Sequence, residues 1–219
     1  MTARTRIKIC GLTREADVAA AVDAGADAVG FVLYARSPRH VGPQRAAALA
    51  RLLPPFVTPV LLLVNATATE IAAALAAVPH ALLQFHGDET AAACDSTGRP
   101  YLRAVRMAPG VDLLDCVHRF PNAQALLLDA CVDGYGGGGK VFDWSLIAPG
   151  LPADVRSRLV LSGGLSPANV IDGVLHARPS AVDVSSGVES AKGIKDAALI
   201  RRFCEAVREA DARLADIAT

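Results

Sequence analysis

The residues with the clearest chemical potential lie at the end of the first predicted strand. This strand covers Ile7–Cys10, and Gly11 follows it directly. Because side chains alternate along a strand, Lys8 and Cys10 share one face. A neighbouring ammonium favours the thiolate form of a cysteine, which can act as a base or a nucleophile. The alternative is that Cys10 is a small buried hydrophobic residue, and its position alone leaves both interpretations open.

Short aliphatic segments that are apolar on both faces alternate with alanine-rich amphipathic segments along the whole chain. The former are typical of buried parallel strands. The predicted strands are Ile7–Cys10, Ala28–Leu33, Val57–Val64, Ala81–Phe85, Tyr101–Val105, Ala125–Leu128, Leu159–Leu161 and Ala181–Val184. The predicted helices include Glu15–Ala24, Pro43–Leu53, Thr69–Val78, Ala168–His176 and Asp196–Ala215. Eight strand–helix units without a linker predict an α/β fold, a single (β/α)8 TIM barrel domain over residues 1–219, rather than an open doubly wound sheet.

Polar residues at the carboxyl ends of the predicted strands are candidates for chemistry, because barrels of this type place their active sites there. Arg39 follows a Ser-Pro turn and could grip a carboxylate. His86 follows strand four and could be a base or a hydrogen-bonded packing group, and Asp129 follows strand six. Barrel closure brings strand eight beside strand one. A buried lone charge is costly, so we predict an ion pair between Lys8 and Asp183.

The loops after strands seven and eight are rich in glycine and serine. Gly163 and Gly164 follow strand seven, and Ser185, Ser186 and Gly187 follow strand eight. Glycines allow a ligand to approach the backbone closely, and amides at the start of a helix bind anions. These two loops are a frequent phosphate site in (β/α)8 barrels. Phosphate binding is therefore predicted, and the alternative is a pair of tight turns that only connect their neighbours.

A third glycine-rich segment, Gly134–Gly139 followed by Lys140, matches the start of a nucleotide-binding loop. Such loops need a hydroxyl residue next to the lysine to bind magnesium, and Val141 stands there instead. We therefore predict a flexible loop that closes over a ligand and no nucleotide site.

The composition narrows the function classes. The 219 residues are 52% hydrophobic, and 22 basic residues balance 22 acidic ones, which argues against nucleic acid or an anionic membrane as the main partner. Five cysteines without a Cys-x-x-Cys pair favour a reducing compartment over a disulfide framework or a zinc site. The first residues carry no apolar signal segment, and no apolar run could span a bilayer, so a cytoplasmic location is expected.

Taken in order, several segments resemble the phosphoribosylanthranilate isomerase family of tryptophan biosynthesis over nearly the whole chain. They are Lys8–Gly11, Gly30–Val32, Ser37–Arg39, Leu83–Gly87, Leu127–Asp129, Phe142–Trp144, Leu161–Leu165 with Pro167 and Asn169, and Val182–Glu189. Two small departures are Phe85, where the family has leucine, and Gly138, where its glycine loop carries threonine.

The resemblance implies an Amadori rearrangement of N-(5'-phosphoribosyl)anthranilate to an aminodeoxyribulose phosphate. It implies that Asp129 is the general acid, that Cys10 is the general base, and that Arg39 binds the anthranilate carboxylate. The residues assigned to the substrate are Lys8, Arg39, His86, Asp183, Gly163, Gly164, Ser185, Ser186 and Gly187, with the amides of Gly164, Ser186 and Gly187 on the phosphate. No metal or cofactor is expected, and the enzyme is expected to be a monomer or a homodimer.

Two other functions stay open. One is a dual-substrate isomerase of histidine and tryptophan synthesis, although such enzymes carry an aspartate where Cys10 stands. The other is a barrel that binds a phosphorylated metabolite without catalysis. The implied mechanism also contains a tension, because the reference pKa of a cysteine, about 8.5, lies far above that of an aspartate, about 3.9. A protonated acid beside a thiolate reverses that order at a cost of about 6 kcal/mol.

Overall fold

The strands of this chain pair in sequence order and close on themselves. The structure is a computed structural model that describes residues 4–131 and 141–217. Its barrel strands are β1 Arg6–Cys10, β2 Ala28–Val32, β3 Thr58–Leu63, β4 Leu82–Phe85, β5 Tyr101–Met107, β6 Ala125–Ala130, β7 Leu159–Leu161 and β8 Ala181–Val184. Each strand pairs in parallel with the next, and β8 pairs with β1. The predicted eight-stranded barrel is confirmed.

Helices connect the strands and cover the outside of the barrel. They are α1 Glu15–Asp23, α2 Pro43–Ala50, α3 Ala68–Ala77, α4 Ala91–Asp95, α5 Leu113–Arg119, α6 Ala153–Arg156, α7 Val170–Ala177 and α8 Ala197–Ile217, with short 3-10 turns at Trp144–Leu146 and Ser186–Val188. Local sequence explains several starts. Pro43 occupies the first turn of α2, where its fixed backbone angle suits a helix. Thr67 and Glu70 form a reciprocal capping box at the start of α3.

The two faces of the strands build two layers of apolar packing. One layer fills the space between strands and helices and includes the fully buried Phe31, Leu61, Leu83 and Phe203. The other fills the inside of the barrel and consists of Val60, Leu102, Ala104, Ala125, Leu127 and Val160. Because the interior is packed in this way, polar side chains that point inward near the carboxyl ends of the strands lie on a layer of apolar side chains.

The structure departs from the predicted bounds in several places, and α2 ends at Ala50 and not at Leu53. Strands β5 and β6 each run two residues further than predicted, so Asp129 lies within β6. Helix α7 begins at Val170 and not at residue 168, because the Asn169 side chain accepts from the Ser166 amide and closes the turn before the helix. After β8 the chain forms an antiparallel hairpin, β9 Glu189–Ala191 and β10 Ile194–Lys195, which was not predicted.

Across residues 4–131 and 141–217, the helices are too short or too polar to cross a membrane. The glycine-rich segment Gly134–Gly139 and Lys140 lie outside the described residues, so loop closure over a ligand stays a prediction.

Candidate active site

The seam where β8 meets β1 carries a buried ion pair. The strand register sets Lys8 opposite Asp183. The Lys8 ammonium donates to Asp183 Oδ1 at 2.7 Å, and the two side chains are 5% and 6% exposed. The other carboxylate oxygen accepts from the Ser162 hydroxyl at 3.1 Å. The predicted ion pair is confirmed, and both oxygens of Asp183 are engaged by the protein itself.

Cys10 lies one step further along the same face of β1, nearly buried and opposite Gly30. A side chain at Gly30 would collide with it, since a β-carbon there would lie 2.7 Å from the Cys10 sulfur and 3.1 Å from the Lys8 nitrogen. Burial raises the pKa of the Cys10 thiol, and the charge and hydrogen bond of Lys8 lower it only in part. Lys8 therefore acts in the expected direction, but desolvation outweighs it.

Asp129 stands at the end of a line of three buried polar side chains. His86 Nε2 lies 3.0 Å from Asp129 Oδ2, and His86 Nδ1 lies 3.0 Å from Gln84 Nε2. Because the Gln84 amide nitrogen can only donate, this orientation assigns the ring proton of a neutral His86 to Nε2, where it points at the carboxylate. The second oxygen of Asp129 accepts from the Ala130 amide at 2.9 Å. Gln84 Oε1 is buried and has no hydrogen-bond partner among the described residues.

Arg39 lies in the loop after β2, and its side chain extends toward the end of β1. Its Nε and Nη2 bind the two carboxylate oxygens of Glu189 at 2.7 and 2.8 Å. Lys195 shares Glu189 Oε1 at 2.8 Å, although burial lowers the pKa of Lys195 against the opposing effect of Glu189. A β-carbon at Gly11 would lie 2.5 Å from Arg39 Cδ, so this glycine makes room for the arginine.

The two predicted phosphate loops pack directly on each other. A β-carbon at Gly187 would lie 1.9 Å from the carbonyl oxygen of Leu165, which leaves space only for glycine. Gly163 and Gly164 have φ angles of 77° and 66°, a region that side chains disfavour. A β-carbon at Gly163 would also lie 2.9 Å from Asp129 Oδ1. The loop after β7 therefore touches both its neighbouring loop and Asp129.

The structure brings most of the predicted site residues to one rim of the barrel and gives several of them protein partners. Three participants had no predicted role: Gln84, Glu189 and Lys195. A signal existed for Gln84, because strand alternation places it on the face of His86. No comparable signal existed for Lys195, since its position depends on the hairpin that was not predicted.

The arrangement provides two groups for proton transfer on different sides of the rim. Cys10 and Asp129 extend from β1 and β6, which are separated by β7 and β8. A ligand held by the β7 and β8 loops would lie between them, so a proton could be added at one end and removed at the other. Within residues 4–131 and 141–217, no group of three or more His, Cys, Asp or Glu side chains is placed to hold a metal ion.

Comparison with known proteins gives a consistent result. The model of the family described as N-(5'phosphoribosyl)anthranilate (PRA) isomerase matches residues 7–206. The chain is 73% identical over 212 residues to N-(5'-phosphoribosyl)anthranilate isomerase of Methylibium petroleiphilum. The aligned residues make up 97% of this chain and 98% of the relative.

Solved structures show the same likeness. Monomers generated from the dimeric phosphoribosylanthranilate isomerase of Thermotoga maritima share 36% identity and a TM-score of 0.82, covering 94% of this chain and 99% of that one. A phosphoribosyl anthranilate isomerase in complex with reduced 1-(o-carboxyphenylamino)-1-deoxyribulose 5-phosphate shares 37% identity, a TM-score of 0.81 and the same coverage. The similarity thus extends over nearly the full length of both chains.

Proposed function

This chain belongs to the N-(5'-phosphoribosyl)anthranilate isomerase family, and from this we propose that Cys10 and Asp129 carry its two proton transfers. The chain is an aldose–ketose isomerase that acts on N-(5'-phosphoribosyl)anthranilate. The family gives the overall reaction, the residue roles are those that the family resemblance implies, and the geometry of the site supports them.

The first step of the proposed mechanism opens the ribose ring. Asp129, protonated, gives its proton to the ring oxygen as the bond from that oxygen to C1' breaks. The lone pair of the anthranilate nitrogen moves to C1', and the product is an iminium ion. Because the iminium takes up electrons in the next step, the chemistry needs no separate electron sink.

The second step removes the proton from C2'. Cys10, as the thiolate, takes this proton, and the electrons of the C–H bond form the C1'–C2' double bond while the iminium becomes a neutral enamine. This enamine, which bears the C2' hydroxyl group and is therefore an enolamine, then tautomerises to the ketone. Lys8 supports this step because its ammonium lowers the pKa of Cys10, against the larger opposing effect of burial.

We assign His86 a role through Asp129 and not through direct contact with substrate, because both of its ring nitrogens face protein groups. If the Gln84 amide turns over, its oxygen accepts from Nδ1–H, and the lone pair moves to Nε2. His86 can then accept the proton that Asp129 carries. Two orientations of one buried amide thus match the two protonation states that Asp129 passes through.

Substrate binding follows from the loops. We propose that the amides of Gly164, Ser186 and Gly187 hold the phosphate, since the β7 and β8 loops are in direct contact. Arg39 would hold the anthranilate carboxylate, a group that is also present in the ligand bound to the relative. The association state stays a prediction of monomer or homodimer, one relative being described as dimeric.

One observation supports the assignment of Cys10 and Asp129 to the two proton transfers. Both lie on the same rim of the barrel, Cys10 beside Lys8 and Asp129 beside His86. The test is a fluorescence assay of substrate disappearance with Cys10→Ser and Asp129→Asn. We expect each change to lower kcat by on the order of 100-fold or more, the size of a general acid or base contribution.

Cys204→Ser is the matched control, because Cys204 is buried in α8 outside the barrel interior and should leave kcat unchanged. Near-normal activity of either rim variant would overturn its assignment. Turnover of the aminoimidazole substrate of histidine synthesis by the unmodified enzyme would support the dual-substrate alternative.

A further inference from the structure

The hairpin after β8 contributes a buried charge cluster, formed by Arg39, Glu189 and Lys195. Two cations share one carboxylate, so the cluster has a surplus of one positive charge. The side chains are 8%, 5% and 0% exposed, respectively. A surplus charge with so little access to water is costly unless an anion faces it. The charge balance of the cluster therefore favours an anionic ligand beside it.

Arg39 is the member of the cluster that can meet such an anion. Its Nε and Nη2 form one edge of the planar guanidinium group, and Glu189 occupies that edge. The geometry of the group directs Nη1 away from Glu189. Gly11 lies beneath the arginine stem, and Cys10 is close enough for its charge to act on the Arg39 pKa. Arg39 thus belongs to the rim that carries Cys10, and Glu189 occupies only one edge of its guanidinium group.

The position of the Lys195 ammonium is fixed by oxygen atoms of two residues, Ser185 and Glu189. The ammonium donates to the Ser185 carbonyl oxygen at 2.9 Å as well as to Glu189. The turn of the hairpin is fixed by Gly193, which accepts from the Thr13 hydroxyl at 2.9 Å. Gly193 has a φ of 78° and leaves no room for a side chain, because a β-carbon there would lie 2.9 Å from the Pro38 carbonyl oxygen. The hairpin therefore links the end of β8 to the segment that carries Arg39.

An Arg39–Glu189 pair alone would be neutral and would attract a second carboxylate only weakly. We propose that Glu189 and Lys195 are positioning residues for substrate recognition: Glu189 orients Arg39, and Lys195 offsets the charge of Glu189 so that Arg39 binds the substrate carboxylate. The inference rests on the proposed function, because it takes the role of Arg39 from there.

The experiment compares two ligands that differ only in the recognised group. One is reduced 1-(o-carboxyphenylamino)-1-deoxyribulose 5-phosphate, and the other is the same molecule without its carboxyl group. Their dissociation constants are measured by calorimetry for the unmodified enzyme, Lys195→Gln, Glu189→Gln and Arg39→Met. Lys192→Gln is the matched control, because Lys192 lies on the same hairpin but is exposed.

Lys195→Gln keeps a hydrogen-bond donor for Ser185 but loses the charge. We expect it to weaken binding of the carboxylated ligand about tenfold and to change binding of the other ligand less than about twofold, because the lost charge attracts only the ligand that carries a carboxylate. Glu189→Gln raises the net charge of the cluster, yet we expect it also to weaken the carboxylated ligand selectively, because Arg39 loses its orientation. Lys192→Gln should change neither.

Equal weakening of both ligands by Lys195→Gln would mean that Lys195 only supports the β8 loop, and would overturn the proposal. Unchanged or tighter binding of the carboxylated ligand by Glu189→Gln would overturn the orienting role, and this arm is informative even if Lys195→Gln does not fold. If Arg39→Met shows no selective loss, the assumed role of Arg39 fails. If Arg39→Met selectively weakens binding of the carboxylated ligand but Lys195→Gln and Glu189→Gln do not, the positioning role is rejected and the role of Arg39 stands.

Discussion

Replacement of Gly30 by alanine should disable the enzyme by displacing the sulfur of Cys10. A β-carbon at Gly30 would lie 2.7 Å from this sulfur and 3.1 Å from the Lys8 nitrogen. Atoms in contact prefer about 3.5–4 Å, so the thiol has to move by about 1 Å. A displacement of that size at a reacting group costs on the order of 100-fold in rate. This corresponds to about 2.7 kcal/mol of transition-state stabilisation.

The measurement is kcat by substrate fluorescence, together with the melting temperature. Two glycines serve as controls. Gly42→Ala adds a methyl group where nothing lies within 4 Å, and Gly173→Ala adds one 2.9 Å from Leu161 Cδ2, outside the barrel. Gly42→Ala should change little, and Gly173→Ala should lower the melting temperature but not kcat.

The test depends on comparing the three variants, because a loss of kcat in Gly30→Ala alone has more than one explanation. If Gly30→Ala retains kcat within about threefold, either the thiol tolerates the displacement or Cys10 is not the base. If Gly173→Ala lowers kcat as much as Gly30→Ala, the effect is general destabilisation and says nothing about the position of the sulfur.

Two further predictions concern charge. Asp183 raises the pKa of Cys10 and Lys8 lowers it, so Asp183→Asn should speed the alkylation of Cys10 by iodoacetamide and Lys8→Met should slow it, as followed by mass spectrometry. Equal changes in both variants, which break the same ion pair, would contradict this. Burial raises the pKa of Cys94 and Cys204 from 9.0 to about 11, so the folded state keeps protons that the unfolded state has released. The free energy of unfolding by urea should therefore fall as the pH rises from about 9 to 11, and less steeply when both are alanine.

Strand positions could be predicted from sequence because burial on both faces leaves a distinctive aliphatic pattern. The pairing of Lys8 with Asp183 could also be predicted, since it needs only barrel closure and the high cost of an unpaired buried charge. The hairpin was missed for a physical reason. Strands of three and two residues, as in Glu189–Ala191 and Ile194–Lys195, are too short to show alternation.

The partners of the rim residues were harder to predict than the residues themselves. The sequence predicts Arg39 as a carboxylate ligand, but the contact of Arg39 with Glu189 depends on where the hairpin lies. Gln84 was visible on the face of His86, but its unpartnered oxygen follows from side-chain orientation, which the sequence does not encode in a readable pattern. The chemical groups of the rim are therefore readable from the sequence, whereas their orientation and charge balance depend on the fold.

The charge balance around Cys10 explains why a lysine two residues away does not by itself produce a stable thiolate. The Lys8 ammonium lies 2.7 Å from Asp183, whose negative charge offsets part of the effect of Lys8 on the pKa of Cys10. Burial then dominates and favours the thiol in the resting site. The proposed iminium would bring a positive charge to the rim at the step in which the base is needed. If Cys10 stays protonated until the iminium forms, the positive charge of the iminium would favour the thiolate at the step that needs it. A buried cysteine could then still act as the base.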